Sequence, residues 1–126
     1  MPHKILVVDD EPALLRLMEF VLERQGYVMI TATNGEEALE AARSNRPDLI
    51  VLDIMMPKLD GYQVAEALRA DTELSRIPII MLSAKAQDED IERGVQAGVD
   101  QFITKPFSPE ALAEVVSGYL GGPAQG

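Results

Sequence analysis

The chain contains no cysteine, so it has neither a disulfide framework nor thiolate chemistry, which agrees with a reducing compartment. Its one histidine, His3, lies before the first apolar run and reads as a neutral surface residue. Cations are scarce. The 11 Lys and Arg are outnumbered by 21 Asp and Glu, giving a formal net charge of −10. Neutralising nucleic-acid phosphates takes a basic patch, and neither a patch nor a helix-turn-helix or zinc-finger spacing is present, so no direct nucleic-acid contact is expected. Long hydrophobic runs are missing as well. MPHKILVVDD meets aspartates after a run of four apolar residues, too few for a signal peptide and far too few to cross a bilayer. A soluble, cytoplasmic protein with no membrane contact is expected. Without a P-loop or a GxGxxG sequence, nucleotide and dinucleotide sites have no support.

What is present is globular in balance: 126 residues, 47% hydrophobic and 25% charged, enough for one domain with one core. Short Val- and Ile-rich runs alternate with segments of helical period. The runs predict strands over 4–9, 28–32, 48–53, 79–83 and 101–104; the segments predict helices over 12–25, 35–45, 62–71, 88–97 and 109–120. Pro12 suits a first helical turn, Gly26 a stop, and Thr33 or Asn34 a cap, while Pro47 ends the second helix. Strands that are continuously apolar are covered on both faces. The expected fold is therefore α/β: a doubly wound, five-stranded parallel sheet in the order 2-1-3-4-5 with five helices, flavodoxin-like. Residues 1–120 are expected to form the domain and 121–126, GGPAQG, a flexible Gly/Pro tail. Met1 and the short tail fit a stand-alone chain, and a linker into a longer protein would look similar.

Three of the apolar runs break off at charge. KILVV ends at Asp9 and Asp10, DLIVL at Asp53, and FIT at Lys105, with Pro106 behind it. In a parallel sheet those ends meet at one edge, beside the crevice where ligands of such sheets bind. One aspartate at a strand end is ordinarily a cap or turn residue; three facing a lysine are better read as a site. Carboxylates this close raise one another's pKa, and a divalent cation offsets the repulsion. Oxygen donors with positions left for a phosphoryl oxygen are what Mg²⁺ prefers. Lys105 is a point charge suited to the same oxygen, and a cis bond to Pro106 would fix where it points. Ser83 adds a hydroxyl at the end of the fourth strand. Pro57 restricts, and Gly61 loosens, the loop that follows Asp53.

The strings ILVVDDEP, PDLIVLDIMMPKLDGYQV, PIIMLSA and GVDQFITKPF, in this order and spacing, resemble the receiver domain of two-component response regulators, of the chemotaxis-receiver type, over about residues 3–119. The resemblance implies that Asp53 accepts a phosphoryl group from a sensor histidine kinase or a phosphotransfer protein. It also implies that Asp10 ligates Mg²⁺ directly, Asp9 through water and Met55 through its backbone carbonyl, alongside Asp53. Ser83 and Lys105 would each bond a phosphoryl oxygen. Ser83 and Phe102 would form the switch, with Phe in place of the frequent Tyr and hence no phenolic hydroxyl. The output would be a changed surface rather than a product. The alternative is a Mg²⁺-dependent phosphatase acting through an aspartyl phosphate, but the second carboxylate such enzymes commonly place two residues after the nucleophile is Met55 here. A receiver-like scaffold that takes no phosphate would be expected to lack Asp10, Asp53 or Lys105, and all are present.

The chain departs from its relatives on the face of the fourth helix, fifth strand and fifth helix, where a downstream protein target is expected. Receivers joined to winged-helix effectors often pair there through charges, at positions that are Ile91, Ala111 and Val115 in this sequence, with Gln101 for a usual Asp. That charge set cannot form, so the face is expected to dock a different partner through apolar contacts or to leave the protein monomeric. Met55 and Lys85 should flank the path of water toward an acyl phosphate.

Overall fold

The computed structural model describes residues 2–56, 58–84 and 88–121. In chain order its elements are β1 (Lys4–Val8), α1 (Pro12–Arg24), β2 (Val28–Ala32), α2 (Gly35–Asn45), β3 (Leu49–Asp53), α3 (Gly61–Ala70), β4 (Ile79–Ser83), α4 (Asp88–Ala97), β5 (Gln101–Thr104) and α5 (Pro109–Leu120). The strands form one sheet in the order β2-β1-β3-β4-β5, and every neighbouring pair is parallel. This is the order read from the sequence, with boundaries moved by a residue. Asp9, read as the end of the first strand, lies just beyond β1, although its N–H still donates to the Ala32 carbonyl. Asp48, read as the start of the third, instead bonds across to Lys4 through both its N–H and its carboxylate.

Alternation along each central strand feeds two cores. Leu6, Val8, Ile50, Leu52, Ile79 and Met81 face α2, α3 and α4, meeting Ala38, Ala42, Val64, Leu68 and Ala97. Ile5, Val7, Leu49, Val51, Ile80 and Leu82 face α1 and α5, meeting Leu15, Met18, Leu22, Leu112 and Val116. With both faces covered, no position of β3 or β4 is left for a solvent-facing side chain, which is why these strands read as unbroken apolar runs.

At the edge formed by the strand N-termini, Arg69 near the end of α3 acts as a pin. Its guanidinium donates to the carbonyls of Gly98 (2.9 Å), Ser75 (2.9 Å) and Ile77 (2.7 Å) and to Asp100 Oδ2 (2.8 Å). The same Asp100 oxygen accepts the N–H of Ile79 at 2.7 Å. The end of α3, the end of α4 and the starts of β4 and β5 are thus held by one planar cation with a fork of fixed donors.

At the opposite edge the loop after β3 is closed by the Gly61 N–H, which donates to the Ile54 carbonyl at 2.8 Å. Asp60 caps α3 and exchanges bonds with Gln63, a capping box that sets where the helix starts. Gly61 lies so close to the strand that an added Cβ would stand 2.5 Å from the Asp53 carbonyl oxygen and 3.0 Å from Ile54 Cα. Backbone atoms cannot give way as a side chain can. Gly61→Ala is therefore expected to destabilise the fold by about 1–3 kcal/mol, the usual cost of overpacking, measured by urea denaturation. A stability equal to that of the parent would contradict this tight approach.

Candidate functional site

Parallel register carries the charged residues to one edge. Val8 pairs with Leu52, Asp53 with Leu82 and Ser83 with Thr104, so the residues that end or follow these strands converge. Asp9 is fully buried, Asp53 is 6% exposed and Ser83 4%, while Asp10 is open to solvent. Lys105 Nζ lies between two carboxylates, 3.1 Å from Asp9 Oδ2 and 3.2 Å from Asp53 Oδ1. The other Asp9 oxygen accepts the Glu11 N–H at 2.9 Å, which orients it at the start of α1. Lys105 is itself tethered, its N–H donating to the Ser83 carbonyl at 2.7 Å, and its bond to Pro106 is cis.

Asp9, Asp10 and Asp53 each present an oxygen within 4.8 Å of the others. Three carboxylates against one ammonium leave an excess of negative charge, and an all-oxygen donor set of this kind suits Mg²⁺. Asp10, Asp53, Ser83, Met55 and Lys105 line a cleft of about 480 Å³. Met55 stands 76% exposed at its rim and offers no carboxylate two residues beyond Asp53. Phe102 is partly buried and packs on the core beneath α4. Pro57 and Lys85 lie outside the described residues. His3 sits at the far end of β1, its Nδ1 3.6 Å from Asp48 Oδ2.

Glu11 and Asp90 also line the cleft, and sequence reasoning passed over both. Glu11 could have been found, since it continues the run Asp9-Asp10; Asp90 sits in an acidic helix start with no local signal that it faces β3. It belongs to a set of contacts joining α3 to α4. The Tyr62 hydroxyl donates to the Asp90 carbonyl at 3.3 Å, and the Arg93 guanidinium lies 4.3 Å over the Tyr62 ring and 3.8 Å from Asp60.

Burial pushes the Asp53 carboxyl up to about 6, with the charges of Asp9 and Asp10 adding to it and Lys105 opposing. Burial draws the Lys105 ammonium down, but Asp53 and Asp9 outweigh it and hold its pKa above the ordinary lysine value. For Asp53, raised in the fold relative to the unfolded chain, the native state holds a proton that the unfolded state has lost between pH 4 and 6. Its contribution to stability therefore falls as pH rises through that window. Without metal, Asp53→Asn should be the more stable protein above pH 6, by up to about 3 kcal/mol from the size of the shift, with the gap closing toward pH 4. Urea denaturation of both proteins in chelator at several pH values measures it, and a gap that does not narrow in acid would contradict it.

Comparison with known proteins agrees with this geometry. The family model described as the response regulator receiver domain matches residues 5–117. The alkaline phosphatase synthesis transcriptional regulatory protein PhoP of Bacillus subtilis is 48% identical over 120 residues, covering 95% of this chain and 49% of that protein. The polar-differentiation response regulator DivK of Brucella anthropi is 40% identical over 121 residues, 96% of this chain and 98% of that one. Among solved structures, the receiver domain of the sensor histidine kinase PA1611 from Pseudomonas aeruginosa PAO1, with a magnesium ion coordinated in its active-site cleft, superposes with a TM-score of 0.88 at 33% identity, covering 97% of this chain and 100% of that one. The chain spans about half the length of the first curated relatives it matches and nearly all of DivK. A family match over almost the whole described fold, on a sheet whose order and charged edge agree with it, means that this chain belongs to the response regulator receiver domains.

Proposed function

We propose that the protein is a signalling receiver in which Asp53 takes a phosphoryl group from a phosphohistidine of a sensor histidine kinase or phosphotransfer protein. The observation that carries this is the Lys105 ammonium held between buried Asp9 and Asp53, with three carboxylate oxygens within 4.8 Å. An Asp53 oxygen attacks phosphorus, the bond from phosphorus to the donor imidazole nitrogen breaks, and the imidazole leaves carrying the electron pair and taking up a proton. Such transfer is mostly positioning and charge neutralisation, so the site needs no general base. Asp10 and Asp53 would hold Mg²⁺ directly, Met55 through its carbonyl and Asp9 through water. When bound, the ion offsets the charge that develops on the phosphoryl oxygens. Lys105 leaves its shared position to bond one of those oxygens, and the Ser83 hydroxyl bonds another.

The product adds about −1.5 to −2 charges where burial already disfavours charge, and that is the signal. Ser83 drawn toward the phosphoryl group favours inward packing of the Phe102 ring over an outward one, altering the face of α4, β5 and α5. Ile91 and Val95 are exposed on α4 of that face, and apolar contact with a downstream protein is their proposed use. Residues 1–120 suffice for this as one domain. The phosphatase reading gains no support from the cleft, where Met55 occupies the position of the acid/base carboxylate.

Incubation with acetyl phosphate and Mg²⁺ followed by intact mass measurement is expected to give one phosphoryl adduct, absent in Asp53→Asn. An adduct that survives that substitution would overturn the assignment, as would its failure to form on the parent. Because the Met55 thioether stands at the rim, where water must enter, Met55→Asn should shorten the life of the adduct by about threefold or more, a barrier change of about 0.7 kcal/mol. Decay followed by the same mass measurement decides it, and an unchanged or longer lifetime would count against the role of Met55.

A further inference from the structure

Gly94 sits in the interior of α4, where glycine is less favourable than alanine, and it is neither a cap nor in a left-handed conformation. Its space is taken by another residue. A Cβ built at position 94 would overlap the tip of the Phe102 ring, lying within van der Waals overlap of Cζ and 2.8 Å from Cε2. Gly94 is buried, and the Phe102 ring is partly buried in the core shared by α2, α3 and α4. Phe102 pairs with Met81 on β4, and two residues on, Thr104 pairs with Ser83. The ring and the Ser83 hydroxyl are therefore borne by the same two paired strands.

We propose that Gly94 is a positioning residue of the switch: it is the seat of the Phe102 ring, which packs inward only because position 94 carries no side chain. The inference rests on the reading of Ser83 and Phe102 as the switch and adds the element against which the ring closes. A ring is the movable end of its side chain, whereas α4 is pinned at its C-terminal end through Gly98 and Arg69. A methyl group at 94 is therefore relieved more readily by the ring swinging out than by shifting the helix, which the pin resists. Phe102 has no hydroxyl to hold it in an outward position, so an expelled ring exposes apolar surface with no bond in return. Through the coupling to Ser83, losing the inward ring disfavours the phosphoryl-bound site.

Beryllofluoride with Mg²⁺ mimics the phosphoryl group, and calorimetric titration reads its affinity. Gly94→Ala is expected to weaken binding about tenfold, within the usual range for coupled sites. In a Phe102→Ala background, with no ring to expel, the same substitution should change affinity less than about twofold, a comparison that a general loss of stability would not reproduce. Phe102→Trp, which enlarges the ring and leaves position 94 alone, should weaken binding as Gly94→Ala does and serves if that variant folds poorly. An equal effect of Gly94→Ala with and without the ring would overturn the seat, as would parent-like affinity in both Gly94→Ala and Phe102→Trp. A parent protein that bound no beryllofluoride would instead remove the phosphoacceptor reading beneath it.

Discussion

The Lys105 ammonium shared between Asp9 and Asp53 is the contact on which the charged edge depends. Asp9 is wholly buried, and a buried carboxylate without a partner would cost several kcal/mol or take up a proton. Lys105 answers two such groups with one charge and so satisfies neither completely. In the proposed function, that residual imbalance is what would make the cleft receptive to a cation on one side and, once the cation is present, to an anion on the other. The supporting structure keeps that imbalance in place: the Glu11 N–H orients Asp9, the Ser83 carbonyl tethers Lys105, and Gly61 lets the α3 start close against the Asp53 carbonyl.

Much of this is legible in the sequence itself. Strands covered on both faces leave unbroken apolar runs, and five of them separated by helical periods leave few strand orders, so β1 to β5 and their order could be read directly. The charged residues at the ends of KILVV, DLIVL and FIT then fell on one edge by the parallel rule alone. Thr33 or Asn34 as the cap followed from side-chain chemistry, and of the two it is Asn34 whose carboxamide oxygen accepts the Glu37 N–H.

What could not be read depends on contacts between distant segments. Periodicity reports which face of a helix is apolar, not which residue it meets. Arg69 looks like a solvated helix charge, yet its partners lie six to thirty-one residues away. The stacking of Arg93 on Tyr62 joins two helices whose sequences carry no sign of each other. Gly94 reads as a weak spot in a helix until Phe102 is found in the space it leaves. Asp90 reads as one more acidic residue at a helix start, although it lines the cleft.

The Arg69 pin has a mechanical consequence. It fixes the Gly98 end of α4 through a cation bonded to main-chain carbonyls, whereas the first half of the helix meets α3 through the tips of Tyr62 and Arg93. A ten-residue helix is about 15 Å long, so α4 is a rod held firmly at its Gly98 end, with Asp90 near its other end lining the cleft. In the proposed switch, any tilt of α4 would be largest beside the cleft, where the charge would change, and smallest at the Arg69 end. Residues along such a rod are displaced in proportion to their distance from the pivot, so a partner that gripped near Ile91 would sense several times the travel of one that gripped near Ala97.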